Sequence, residues 1–236
     1  MTRPNLTGRA EEQGRRRQVR RMVLVLDRTF GGAARLEAVG LSDPLEEMVR
    51  TILSQNTTDE NRDRGYDRLV AAFTDWDAVA DADARSVMDA IRPAGLPAQK
   101  CEAIQSMLQW VRRERGELSL SFLKEMPVDE AIETLVKLKG VKTATVVLAF
   151  AFGSDVCAVD THVHRIALRT GIVEAGTSRD RAYGQLGALI PKGTARGFHL
   201  DLIALGRSAC RARNPSCDVC PIRRECDYAS SAGSTE

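Results

Sequence analysis

The chain has 236 residues, 43% hydrophobic and 28% charged, with a formal net charge of +2. That apolar content can bury one large core or two modest ones, and two are expected at this length. The longest apolar run, Val146 to Phe152, falls far short of the ~18 residues a membrane span requires, and the small net charge does not by itself announce a nucleic-acid partner.

Seven arginines and no apolar stretch lie between Met1 and Arg21, so a secretory leader is not expected and a reducing, cytoplasmic location is, nucleoid-associated in a bacterium. Residues 1–17 and 229–236 read as unstructured tails. Asp43, Pro44 and Glu46 then mark a helix start, with a capping carboxylate, a proline at the first position and something close to a capping box. Apolar stripes at helical spacing follow: Tyr66, Leu69, Val70 and Phe73; Ile104, Leu108 and Val111; Val128, Ala131, Ile132, Leu135 and Leu138. Ser119 to Met126 fits either a short helix or a connector. Alternating strand patterns are absent, and the fold class is all-α.

Leu138-Lys139-Gly140-Val141 breaks the helical pattern, and Lys142-Thr143-Ala144 opens a strongly apolar helix. A lysine at a helix N-terminus meets the positive end of the dipole, which lowers its pKa and improves it as a nucleophile. Standing alone, such a lysine more often extends into solvent. Eighteen residues on, Asp160 precedes Thr161-His162-Val163-His164 at another helix start, where an aspartate is ordinarily an N-cap. His162 and His164 read as structural, and His199 receives no role.

Cys210, Cys217, Cys220 and Cys226 form C-x6-C-x2-C-x5-C. One CxxC flanked by two outlying thiols suits the four corners of a [4Fe-4S] cube better than tetrahedral zinc, although the spacing matches neither common ferredoxin pattern. Disulfides are disfavoured in a reducing compartment. Cys101 and Cys157 read as small buried hydrophobes. Arginines gather at Arg15, Arg16, Arg17, Arg20 and Arg21, and again around the cysteines at Arg207, Arg211, Arg213, Arg223 and Arg224.

The hairpin with Lys142, the Val159-Asp160-Thr161-His162 segment and the cysteine run together resemble endonuclease III, a family of helix-hairpin-helix DNA glycosylases carrying a [4Fe-4S] cluster, over roughly Asp43 to Tyr228. The resemblance implies a six-helix barrel domain at 44–154, a cluster domain built from 18–43 and 155–228, and a DNA-binding cleft between them. It implies Lys142 as amine nucleophile, Asp160 as catalytic carboxylate, and the four cysteines as cluster ligands. The partner it implies is double-stranded DNA with a damaged base or an abasic site. The protein is read as a monomer that engages no membrane.

A nucleotide extruded from duplex DNA leaves a gap, and by resemblance Leu96 is the apolar wedge that fills it, with Gln55 or Asn56 as the polar plug. A core leucine and a helix-terminal amide are the alternatives. Lys139, Gly140, Val141 and Thr143 would grip a phosphate, and Arg207, Arg211 and Arg213 would contact the DNA backbone. The implied reaction removes oxidised or ring-saturated pyrimidines through a lysine Schiff base and β-elimination. The hairpin departs from the family pattern Leu-Pro-Gly-Val-Gly-x-Lys-Thr-Ala, which leaves a second reading: a DNA-binding or damage-sensing protein with little catalysis.

Overall fold

The structure, a computed structural model, describes residues 6–137 and 144–232. The chain separates into two compact units, Met1–Gly40 with Asp155–Glu236, and Leu41–Ser154. It runs α1 (Leu6–Phe30) and α2 (Gly32–Val39) in the first unit. The second holds α3 (Pro44–Ser54), α4 (Asp59–Ala72), α5 (Trp76–Asp81), α6 (Ala84–Ile91), α7 (Pro97–Arg115), α8 (Val128–Val136) and α9 (Ala144–Phe150). The first unit resumes with α10 (Thr161–Arg169), α11 (Arg179–Leu189), α12 (Ala195–Ser208) and α13 (Asp227–Ala232). Short 3-10 turns join some of these, including one at Ser121–Glu125, and no strand occurs among the described residues. No helix is long and apolar enough to cross a membrane.

In the first unit, Val19, Met22, Val23 and Leu26 of α1 are buried together with Phe198, Leu202 and Leu205 of α12. This apolar stripe anchors a helix that starts at Leu6, so residues 6–17, expected to be an unstructured tail, are helical instead. An Arg16–Glu12 pair at 2.8 Å, one helical turn apart, supports that extension. The C-terminal expectation shifts in the same way, because Asp227–Ala232 is helical and Ala229 is buried. Leu41, Ser42 and Asp43 fall in the second unit rather than the first, where the Ser42 N–H donates to the Phe150 carbonyl at 3.3 Å.

The start of α3 follows its sequence signals. Asp43 accepts from the N–H groups of Leu45 (2.9 Å) and Glu46 (3.0 Å), with Pro44 at the first helical position. Tyr66 and Leu69 of α4 are buried as expected, but Val70 is 45% exposed. The reason lies at Gly65, where a Cβ would stand 3.0 Å from that of Ala94: α4 approaches the turn at Arg92–Ala94 along the Gly65–Leu69 line, which turns Val70 outward. Ile104, Leu108 and Val111 of α7 are buried, as are Ala131 and Leu135 of α8.

Helix α2 crosses α12 at close range. A Cβ at Gly32 would lie 2.3 Å from the Gly197 carbonyl oxygen and 2.6 Å from Oδ1 of Asp201, distances that no side chain tolerates. Asp201 is itself buried and paired with Arg35 at 3.1 Å, and burial pushes its carboxyl up to about 6. Gly32→Ala is expected to lower the unfolding free energy by about 1–3 kcal/mol through overpacking, seen as a reduced Tm in thermal denaturation.

Candidate functional site

The segment from Asp155 to Asp160 has no regular structure, so its backbone must find partners elsewhere. One end is held by α12. The Asp155 carboxylate accepts from the N–H groups of Gly193 and of Ala195 (3.1 Å), capping a helix whose own Thr194 provides no side-chain bond. His199, one turn into α12 and buried, donates from Nδ1 to the Ala158 carbonyl at 2.9 Å. Burial pulls its pKa down. At the other end Asp160 accepts from the Val163 N–H at 2.7 Å as the N-cap of α10. Four hydrogen bonds to three of these six residues thus fix where the Asp160 carboxylate sits.

Among the histidines, His164 Nε2 lies 2.7 Å from the Thr177 carbonyl and Nδ1 of His162 lies 3.1 Å from Nη2 of Arg165. Burial lowers the pKa of His162, with Arg165 and Arg207 acting in the same direction against Asp160. Both rings brace the fold, as their sequence positions suggested. Asp155 and His199 were not singled out as functional. Their partners are distant in sequence, and no local signal identifies them.

The helix that begins at Asp160 also holds the cysteine segment. Arg165 donates to the Cys210 carbonyl at 3.1 and 2.8 Å and to the Gly206 carbonyl at 3.0 Å. One turn later Arg169 donates to the Cys210 Sγ (3.2 Å) and to the carbonyls of Arg211 (2.7 Å) and Ala212 (3.1 Å). Its guanidinium stands 4.9 Å from the Tyr228 ring centroid. Cys210, Cys217, Cys220 and Cys226 are unpaired thiols that line one cavity with Arg169, Pro215, Ser216 and Tyr228. No three of them converge on the coordination sphere of a single ion; they stand around the cavity wall. Burial raises the pKa of Cys220 and Cys226, and the neighbouring sulfurs add to it, so loading the site with metal would release protons. Four thiols in a lining that holds no carboxylate or imidazole fit a thiolate-held iron–sulfur group. Cys101 and Cys157 are buried away from this cavity, and burial pushes the Cys157 thiol up to about 12.

In the second unit, Leu96 adopts φ 49°, ψ 49° directly before Pro97. A leucine in the left-handed region is a true outlier, costing about 1–3 kcal/mol, and such strain concentrates at functional sites. Leu96 is also 45% exposed, which excludes the core-leucine alternative. Asn56 is exposed with φ 54°, just beyond the C-cap Gln55 of α3. A residue absent from the sequence reasoning joins these two segments. Lys100 is only 4% exposed, and its Nζ donates to the carbonyls of Leu53 and Ala94, both at 2.7 Å. Burial draws its pKa down to about 8. A lysine with a lowered pKa invites assignment as a nucleophile, but an ammonium enclosed by two carbonyls has no face open to a substrate. Charge-assisted bonds of this kind contribute about 1.5–3 kcal/mol each.

Lys139, Gly140, Val141, Lys142 and Thr143 lie outside the described residues. Arg207, Arg211 and Arg213 are exposed in the first unit, near the cysteines in sequence, and Arg211 donates to Ser216 Oγ at 3.1 Å.

Residues 49–192 match the profile of the HhH-GPD superfamily base excision DNA repair proteins. Endonuclease III of Thermotoga maritima is 30% identical over 197 residues, which cover 83% of this chain and 88% of that protein. A relative from Arabidopsis thaliana is 38% identical over 149 residues, 62% of this chain and 51% of its own length, so the chain spans about half of that relative. Among solved structures, a non-covalent complex of Endonuclease III with DNA superposes with a TM-score of 0.76 at 27% identity, covering 92% of this chain and 98% of the other.

Asp155→Ala removes the borrowed cap of α12 and releases one end of the Asp160 segment. Stability is expected to fall by about 1 kcal/mol, measured by denaturant unfolding, and hydrogen exchange at the amides of Gly193 and Ala195 should accelerate.

Proposed function

Because the chain belongs to the endonuclease III family within the HhH-GPD superfamily and is a DNA glycosylase/lyase of base excision repair, we propose that it removes oxidised or ring-saturated pyrimidines from duplex DNA with Lys142 as nucleophile and Asp160 as catalytic carboxylate. The observation that carries this reading is the fixed placement of Asp160 by Val163, His199 and Asp155. Breaking an N-glycosidic bond develops positive charge on the sugar, and a carboxylate already held in place stabilises it without reorganising at the moment of reaction.

The chemistry proceeds in two stages. The Lys142 amine attacks the anomeric carbon and the base departs, leaving an iminium after ring opening. That iminium acidifies the neighbouring C2′ proton, and loss of the 3′ phosphate by β-elimination cuts the strand. The target nucleotide must leave the helix to be reached. Leu96, exposed and strained, and the adjacent plug from Gln55 or Asn56 are the groups proposed to occupy the space it vacates. Lys139, Gly140, Val141 and Thr143 are proposed phosphate contacts by resemblance, joined by Arg207, Arg211 and Arg213 on the backbone. The alternative of a DNA-binding protein with little catalysis is not favoured, since the family matches are repair glycosylases.

Cys210, Cys217, Cys220 and Cys226 are proposed to hold a [4Fe-4S] cluster. When bound, such a group cross-links four points of the chain and, sealed by four thiolates, offers no open metal position for bond cleavage. The residues around it act through placement: Arg165 and Arg169 fix the Cys210 loop to the helix that Asp160 caps.

Incubation of the protein with thymine-glycol or abasic duplex DNA and borohydride is expected to give a covalent adduct with the wild type and none with Lys142→Ala. Asp160→Asn keeps a capping side chain and the fold, yet base release should drop by roughly a hundred-fold or more. No adduct on any such duplex removes the lyase mechanism. Purified protein should contain about four irons with matching labile sulfide per chain, and Cys217→Ser should lose them. Zinc as the sole metal would overturn the cluster assignment.

A further inference from the structure

Lys100 takes no part in the chemistry above, yet it is the only buried lysine among the described residues and both of its partners are backbone carbonyls at functional turns. Leu53 lies two residues before Gln55 at the end of α3. Ala94 lies two residues before Leu96. The Lys100 N–H also closes the first helical bond of α7 onto the Leu96 carbonyl at 3.1 Å. One residue therefore touches the strained turn from both sides and ties it to the plug segment. Both ammonium bonds run to neutral backbone carbonyls rather than to a carboxylate. These two bonds support folding, as buried charge-assisted bonds do. A long cation fits a different need: two carbonyls at the ends of separate elements must be held at one fixed spacing.

We propose that Lys100 is a positioning residue for nucleotide extrusion: its ammonium locks the Leu96 turn to the Gln55–Asn56 segment so that wedge and plug enter the DNA gap as one rigid unit. The inference rests on the reading of Leu96 and Gln55 or Asn56 as gap-filling groups. An apolar or flexible residue at position 100 would leave the Ala94 and Leu53 carbonyls without this donor and free the two segments to move independently.

The test compares two reactions of the full-length protein on one duplex sequence. Removing thymine glycol demands full extrusion and a filled gap, whereas cleaving a preformed abasic site has no base to expel. Lys100→Met keeps the volume and deletes the donors. It is expected to lower single-turnover excision roughly ten- to a hundred-fold while abasic cleavage changes by less than about two-fold. In a Leu96→Ala background, Lys100→Met should have little further effect on that ratio, because coupled residues do not act additively. Equal losses in both reactions, or independent effects of the two substitutions, would overturn the inference and leave Lys100 a purely structural residue. Should Lys100→Met not fold, Lys100→Gln, whose shorter amide cannot span both carbonyls, is read by the same ratio. Fluorescence of 2-aminopurine opposite a tetrahydrofuran abasic analogue, which lacks the C1′ hydroxyl and cannot form the iminium, reports insertion without any turnover. A smaller change on binding in the variant supports the clamp, and an unchanged one overturns it, even if the wild type excises no thymine glycol and the substrate reading fails.

Discussion

A helix leaves its first N–H groups and last carbonyls without partners, and in this chain every proposed functional group described structurally sits at or near such an end. Asp160 caps α10, Leu96 precedes α7, Gln55 closes α3, and Cys210 lies just beyond α12. With no strands among the described residues to absorb polar backbone, side chains reaching across the fold must satisfy these termini. Asp155, Lys100, Arg165 and Arg169 do so, and His199 satisfies the irregular segment before α10 in the same way. The same contacts that prevent buried polar groups from going unmatched also aim the groups proposed for chemistry.

This arrangement couples positioning to stability at small cost in residues. Helix α10 carries the clearest case, since its first turn presents Asp160 and its next two turns hold the Cys210 loop through arginines four residues apart. Guanidinium groups suit that task because each offers several donors in one plane and stays charged at any working pH. Lys100 shows the complementary choice. A single ammonium point, rather than a planar fork, fits between two converging carbonyls.

Much of the framework was legible in the sequence because it is written locally. Asp43 before Pro44, Asp160 before Thr161, the cysteine run and the apolar stripe of α7 each depend on neighbours within a few residues, whereas Val128 in the expected stripe of α8 is exposed and Leu138 lies outside the described residues. What was not legible depends on distant partners. Lys100 looks like any lysine near a helix start until Leu53 and Ala94 close around it. His199 and Asp155 gain meaning only from a backbone segment some forty positions away. The arginine-rich start of α1 reads as a solvated arm because its anchoring stripe begins only at Val19. Val70 satisfied the helical period but not the geometry, since Gly65 rotates α4 toward Ala94.

The Gln18 amide donates to the carbonyls of Thr170 and Glu225, both at 2.8 Å, stitching the first helix to segments more than 150 positions later. The unit to which they belong is interrupted in the chain by the whole of Leu41–Ser154. During synthesis the whole of the interrupting unit emerges before the second part of its host, Asp155 onward, is made. Gln18 therefore waits for both of its partners, and the first unit's core can close only after the sequence of the inserted unit is complete.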